Sequence, residues 1–319
     1  MKRWIGPGIG AVLVIFLIWR MPWLDVLKTL KQARLGWWMF ASALGACGIW
    51  FRALRLHWVL GTSNPVTAVW RCVSIGYLAG LVIPAGGGEV VKIRMLMKNL
   101  ELDIFHIGSA VTLDRLLDLA GLAFGLTLLG WLQELPGTVG TLLRAMSLML
   151  SIAAVIWALI LIFGKRWLTR LSSQMTHSPW FMKRISQIHG ALDANEHLRS
   201  GKIWIKLLLF QGFITGFEVC VVGIALKTVV LAVTLPPWAS LQVLMFASIG
   251  FAIPLLPGSA GSLQVSYILA LRPFGVSIPQ ALAFSLLAQL AHVLVVLGHG
   301  GFAMILGPMT RRLGKAGIS

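Results

Sequence analysis

Acidic residues are scarce in this chain: ten Asp and Glu stand against 27 Lys and Arg, and charged residues of all kinds make up only 12%. With so little charge and 58% hydrophobic residues, a soluble globular surface is excluded. Enzyme signatures are missing too. No Ser-His-Asp set, CxxC, HExxH or Walker sequence occurs. His57, His106, His292 and His299 show no metal-like clustering, and His177, His189 and His197 belong to a polar loop. Cys47, Cys72 and Cys220 lie in or beside apolar segments and are expected to be buried free thiols. Gly6, Gly8 and Gly10 open a membrane helix with no strand before them, which rules out a nucleotide-binding run. No catalytic set, metal or cofactor is expected.

What is present is apolar length. Mean hydropathy is +0.86, and runs at 5 to 19, 35 to 51, 107 to 131, 141 to 163, 205 to 233 and 279 to 306 can each reach across a ~30 Å hydrocarbon core as helices. Alternating strand patterns are nowhere visible. The fold expected is all-α, a polytopic membrane protein of about six full spans in a single domain, 1–319. Lys2 and Arg3 before the first run, with no small-residue cleavage site after it, indicate an uncleaved signal anchor.

Two further stretches are apolar but broken. SIGYLAGLVIPAGGGEVVKIRMLM, from Ser74 to Met97, stops at Pro84, passes Gly86, Gly87 and Gly88, and presents Glu89 before a basic helix. SIGFAIPLLPGSAGSLQVSYI, from Ser248 to Ile268, repeats that grammar with Gly258, Gly261 and Gln264. Interrupted segments at corresponding places in two halves point to a site between inverted repeats. Half A (35–131) then carries one re-entrant hairpin at 67–98, and half B (205–306) carries another at 239–272.

The net charge of +17 follows topology. Lysines and arginines crowd the 164–206 loop and the C-terminus, at Arg311, Arg312 and Lys315, which places both in the cytoplasm with the N-terminus. Arg52, Arg55 and Arg71 before the first broken stretch, and Lys92, Arg94 and Lys98 after it, mark cytoplasmic edges by the same rule. Arg20, Lys28, Lys31 and Arg34 fall on the other side, where Leu24, Leu27, Leu30 and Leu35 suggest a helix lying in the interface. Such basic residues contact anionic headgroups, not nucleic acid. The spacings Gly76-x3-Gly80, Gly121-x3-Gly125 and Gly212-x3-Gly216 suit close helix packing, with a homodimer the less favoured use.

Four carboxylates, Glu89, Asp114, Asp118 and Glu218, fall at membrane depth, where each unpaired charge costs ~2.5–3.5 kcal/mol. They must be paired, protonated or wet. Asp114 and Asp118 lie one turn apart, and Arg115 can reach Asp118 along the helix. Arg115 suits bidentate binding of a lipid phosphate, with Glu89, Asp114 or Asp118 balancing it in the empty site; the plainer alternative is a clamp between a helix and a hairpin. Glu218 stands alone in its span and is the simplest group for proton coupling or gating, set against a helix-packing role. Lys92 and Arg94 could attract the headgroup or simply anchor a membrane edge.

At these residues the chain resembles the lysylphosphatidylglycerol synthase/flippase transmembrane family, which includes the flippase domain of multiple peptide resistance factor. The resemblance rests on Pro84 to Glu89 before a basic helix, Arg115 and Asp118, Pro257 to Gln264, and RALRLHWVL at Arg52 to Leu60. It departs at Gln264, where the family has a glutamate, and at Gln289, where it has an arginine, as if two amides replaced an ion pair. With no aminoacyl-transferase domain in the sequence, the resemblance implies transport of a lipid, such as a phospholipid or polyprenyl phosphate, across a bacterial cytoplasmic membrane. The substrate site expected comprises Glu89, Arg115, Asp118, Gln264 and the glycines 86, 87, 88, 258 and 261. A lipid-modifying enzyme, or a scaffold for a lipid-synthesis enzyme, are the alternatives. Membrane lipids are the expected partners.

Overall fold

Helix follows helix through the residues described by the computed structural model, 22–83, 86–132, 201–229, 231–252 and 259–306 with isolated positions between 141 and 200, and no strand occurs among them. In chain order they are α1 (Trp23–Lys31), α2 (Leu35–Leu60), α3 (Val66–Val82), α4 (Gly87–Leu100), α5 (Ile104–Leu132), α6 (Gly201–Leu226), α7 (Ala239–Ala252), α8 (Ser262–Leu271) and α9 (Ile278–Ile305). Helices α2, α5, α6 and α9 are long and apolar enough to cross a membrane. The expected spans at 5–19 and 141–163, most of the 164–206 loop and the C-terminal basic residues lie outside the described residues.

Local chemistry sets the ends. Gly61 closes α2 in the left-handed region at φ 58°, which a residue without Cβ adopts freely, and its N–H donates to His57 O at 3.2 Å. Pro65, lacking an N–H, precedes α3. Ser277 and Gln280 cap α9, and the Ser277 N–H donates to Gln280 Oε1 at 3.3 Å.

The two broken stretches form helix pairs, α3 with α4 and α7 with α8, whose members pack on each other. At ~1.5 Å per residue, α3 is roughly 25 Å long and α8 only roughly 15 Å, shorter than a hydrocarbon core. Close approach explains the glycines. A Cβ on Gly88 would meet Gly80 Cα at 2.9 Å, and one on Gly76 would meet Lys92 Cβ at 2.7 Å. In the second pair, a Cβ on Gly250 would meet Ser266 Oγ at 2.6 Å. Gly76 and Gly250 therefore do the same work in the two halves.

That correspondence extends to the helix contacts. Exchange α2 with α6, α3 with α7, α4 with α8 and α5 with α9, and the contacts α2–α3, α3–α9, α4–α5 and α2–α9 become α6–α7, α7–α5, α8–α9 and α6–α5, all of which occur. The α2–α6 contact maps onto itself. One core gathers Leu56, Val69, Leu96 and Leu113 of the first half together with Leu207, Val296 and Ala303 of α6 and α9, and another, with Val243, Leu263, Leu271 and Phe284, lies within the second half.

Several expectations need correction. α2 runs on to Leu60, past the end expected at 51, because Arg52 and Arg55 do not mark a membrane edge; they are ion-paired inside the bundle. α6 starts at Gly201 and stops at Leu226, so Lys202 and Lys206 lie on the helix, not in the loop, and Lys206 Nζ sits 3.6 Å from the Trp58 ring centre. Leu35 opens α2 and does not extend the face of α1; that short helix packs through Val26 on Leu282 and Ala283 and leaves Leu24 and Leu27 exposed. Cys72 is buried, but Cys47 and Cys220 are exposed. In a membrane both lipid and protein neighbours are apolar, so composition cannot tell the two environments apart. Gly121 and Gly125 pack against Gln211 and Met245 side chains, whereas Gly212 and Gly216 have nothing within 4 Å of a built Cβ. Among the described residues, the third glycine spacing packs against nothing.

Candidate functional site

Arg52 and Arg55 lie one turn apart on α2 and face two neighbouring helices. Arg55 has no exposed side-chain surface, and donates from Nε to Asp114 Oδ1 at 2.8 Å and from NH2 to Asp118 Oδ1 at 2.9 Å and to Asp114 O at 3.1 Å. Its NH1 donates to Gln211 Oε1 on α6. Gln211 in turn donates to Thr215 Oγ1 at 3.2 Å, and Gly121 leaves the room for it. Nearly the whole guanidinium fork is thus satisfied, which a buried arginine requires. Arg52 donates from NH1 to Asp118 Oδ1 at 3.1 Å and from NH2 to Glu218 Oε1 at 2.6 Å. One side chain therefore ties α5 of the first half to α6 of the second.

The network continues into the first helix pair. Glu89 stands in the opening turn of α4, just after Gly86 at φ 82°. Its Oε1 accepts from Arg115 NH2, and its Oε2 lies 2.6 Å from Lys92 Nζ. Arg115 NH1 is 3.6 Å from Asp118 Oδ2, which closes the circuit. Four cations (Arg52, Arg55, Lys92, Arg115) meet four carboxylates (Glu89, Asp114, Asp118, Glu218), so the cluster is electrically balanced. Arg115 is the most open member, its side chain 44% exposed. Of the cations in the circuit, a newcomer reaches it first.

The second half repeats the geometry with neutral groups. Gln264, in the first turn of α8, donates from Nε2 to Gln289 Oε1 at 2.5 Å and accepts the Gly261 N–H at 2.7 Å on its own Oε1. Gly261 adopts φ 85° at the helix start. Arg115 and Gln289 both lie one helix beyond their pair, eleven positions after Ile104 and Ile278, the first residues of α5 and α9. Glu89–Arg115 and Gln264–Gln289 are therefore counterparts.

Of the residues expected from sequence, Glu89, Lys92, Asp114, Arg115, Asp118 and Glu218 come together in one network. Gln264 and Gly261 form the separate amide site. Gly86 sets the turn before Glu89, while Gly87 and Gly88 carry the close helix contact. Arg94 is exposed and outside the cluster. Gly258 lies outside the described residues. Glu218 is the lone charge in the middle of its span, as expected, but it has a partner on α2, where Arg52 holds it. Arg52 and Arg55 are the functional candidates that the sequence reading missed. The signal was available: four intramembrane carboxylates need partners, and Arg-x-x-Arg places two guanidiniums on one helix face.

A family model described as the lysylphosphatidylglycerol synthase TM region matches residues 3–300. No curated protein matches the chain.

Proposed function

The chain belongs to the lysylphosphatidylglycerol synthase transmembrane family, and from that premise we propose that it is a flippase that carries a phosphate-bearing lipid headgroup across the bacterial cytoplasmic membrane. The two helix pairs are re-entrant in this reading. They dip into the bilayer from opposite faces, which suits helices too short to cross it, and the exchange of contacts between halves supports a two-fold repeat. Tails stay in lipid while the headgroup passes between the hairpin tips.

The observation that carries the proposal is the Glu89–Arg115 pair. In a balanced cluster an entering phosphate gains nothing from surplus charge; it binds by taking the place of a carboxylate. Glu89 occupies the most open cation and is partly exposed itself, so it serves as the occupant of the empty site. Phosphate displaces it from Arg115 and Lys92 and receives the bidentate donors that Glu89 gives up. Arg52, between Asp118 and Glu218, gates the movement of one half against the other. The amide pair at Gln264 supplies hydrogen bonds without a second charge, which fits a headgroup with a single anionic centre.

Proteoliposomes holding a fluorescent phosphatidylglycerol, with dithionite added outside to bleach the exposed leaflet, test the reading. Wild-type protein should make the inner-leaflet probe accessible, and Arg115→Gln should abolish that. Equal bleaching by wild type and Arg115→Gln removes the proposed site.

A further inference from the structure

Outside the ion network, a groove of about 640 Å³ opens where α2, α3 and the end of α9 meet. Its walls include Cys47, Trp50, Trp70, Phe302 and Leu306, and are overwhelmingly apolar. Trp70 forms the floor, with ring centres of Trp50, His299 and Phe302 between 5.8 and 6.2 Å away. Trp50, Phe302 and Leu306 are exposed. On membrane-crossing helices, such exposure faces acyl chains.

One cation lies in this apolar wall. Arg71 donates from Nε to Ala303 O at 3.4 Å, which fixes its guanidinium against the last turns of α9. Among the described residues no carboxylate pairs with it, whereas Arg52, Arg55, Lys92 and Arg115 are all neutralised. The groove also has a direction. Arg71 lies in the second turn of α3 and Leu306 just past the end of α9, both at helix ends, while Cys47 sits halfway along α2. From Cys47 to Leu60 is roughly 20 Å at ~1.5 Å per residue, comparable with one leaflet of a ~30 Å core.

The geometry points to a lateral binding site for a phospholipid of the surrounding bilayer, with its anionic headgroup on Arg71 and one acyl chain lying along Trp50 and Cys47. The volume falls within the ~300–1,000 Å³ of ligand pockets. Charge complementarity selects the occupant. An uncharged apolar ligand leaves the Arg71 guanidinium without an anion, and a free phosphate leaves the apolar wall uncovered. The site is separate from the Glu89–Arg115 pair and does not rest on the flippase reading.

The test uses the full chain in nanodiscs containing a trace of phosphatidylglycerol or phosphatidylcholine with a photoactivatable acyl chain. Labelled peptides are mapped by mass spectrometry. Adducts should fall at 46–50 and 302–306, with phosphatidylglycerol favoured about fivefold, the size of one basic residue's attraction to anionic lipid. Arg71→Gln should remove that preference and Arg71→Lys should keep it. Cys47→Trp, which fills the groove without touching the cation, should abolish labelling by both lipids. Arg115→Gln should leave the labelling unchanged even where transport is lost. Equal labelling by both lipids, unmoved by Arg71→Gln and Cys47→Trp, identifies ordinary annular lipid and overturns the proposal. Loss of the phosphatidylglycerol label on adding millimolar inorganic phosphate overturns it as well, by making Arg71 a site for free anions.

Discussion

Arg52 and Arg55 share one oxygen: Asp118 Oδ1 accepts from Arg52 NH1 at 3.1 Å and from Arg55 NH2 at 2.9 Å. Two like charges one turn apart on a helix repel, so this carboxylate, with Asp114 and Glu218 on either side, is what lets α2 carry both through the bundle.

Asp114→Asn should therefore destabilise the protein strongly. It leaves Arg55, which has no exposed surface, short of its nearest charge, and removing one partner of a buried pair costs about 3–5 kcal/mol. Replacing both residues, as Arg55→Met with Asp114→Leu, should cost less than Asp114→Asn alone. Thermal unfolding in detergent, followed by the fluorescence of the 14 tryptophans, reads the order directly.

Glu89→Gln and Arg115→Gln should act in opposite directions on headgroup binding. The first frees Arg115 and Lys92 from their competitor. Charge-assisted hydrogen bonds are worth about 1.5–3 kcal/mol, so affinity for an anionic lipid should rise roughly tenfold or more and release should slow. Arg115→Gln should lower affinity by a similar factor. Equilibrium binding of a fluorescent phosphatidylglycerol separates the two, and a fall in affinity for both variants refutes displacement as the binding mode.

Restoring charge to the second half should need both changes. Gln264→Glu alone puts a carboxylate against the Gln289 amide and the Gly261 N–H, and Gln289→Arg alone buries a cation beside an amide. Together they recreate an ion pair. A double-mutant cycle on thermal stability should give a favourable coupling of about 0.5–3 kcal/mol.

Gly88→Ala should prevent the first helix pair from closing, since its Cβ would lie 2.9 Å from backbone Gly80 N and Cα. Among the described residues Gly212→Ala and Gly216→Ala meet nothing within 4 Å, and both should keep or slightly raise stability, by up to ~1 kcal/mol each through helix propensity. Expression and monodispersity by size exclusion distinguish these outcomes. Equal tolerance of all three would contradict the close α3–α4 contact.

The helices were legible because their breaks are chemical. The two Ser-Ile-Gly stretches showed that the apolar runs break there, and each falls on a pair of helices; the end of α2 was not legible, since the apolar run stops at 51 and the helix at Leu60. The carboxylates were legible as a problem needing partners. The partners were not, because an arginine near the end of an apolar run looks the same whether it anchors a membrane edge or turns inward. Arg52 reaches Glu218 across 166 positions of chain, a distance at which no periodicity survives. The amide contact between Gln264 and Gln289 was visible only through the family resemblance, in which that pair carries charge.

The repeated frame holds its two corresponding seams together by unlike forces. Between α8 and α9 the amide contact is joined by apolar packing, with the Tyr267 and Phe284 rings 5.3 Å apart edge to face, whereas between α4 and α5 Glu89 meets Arg115 charge to charge. The two seams therefore answer to different conditions: ionic strength weakens the charged one and leaves the apolar one alone.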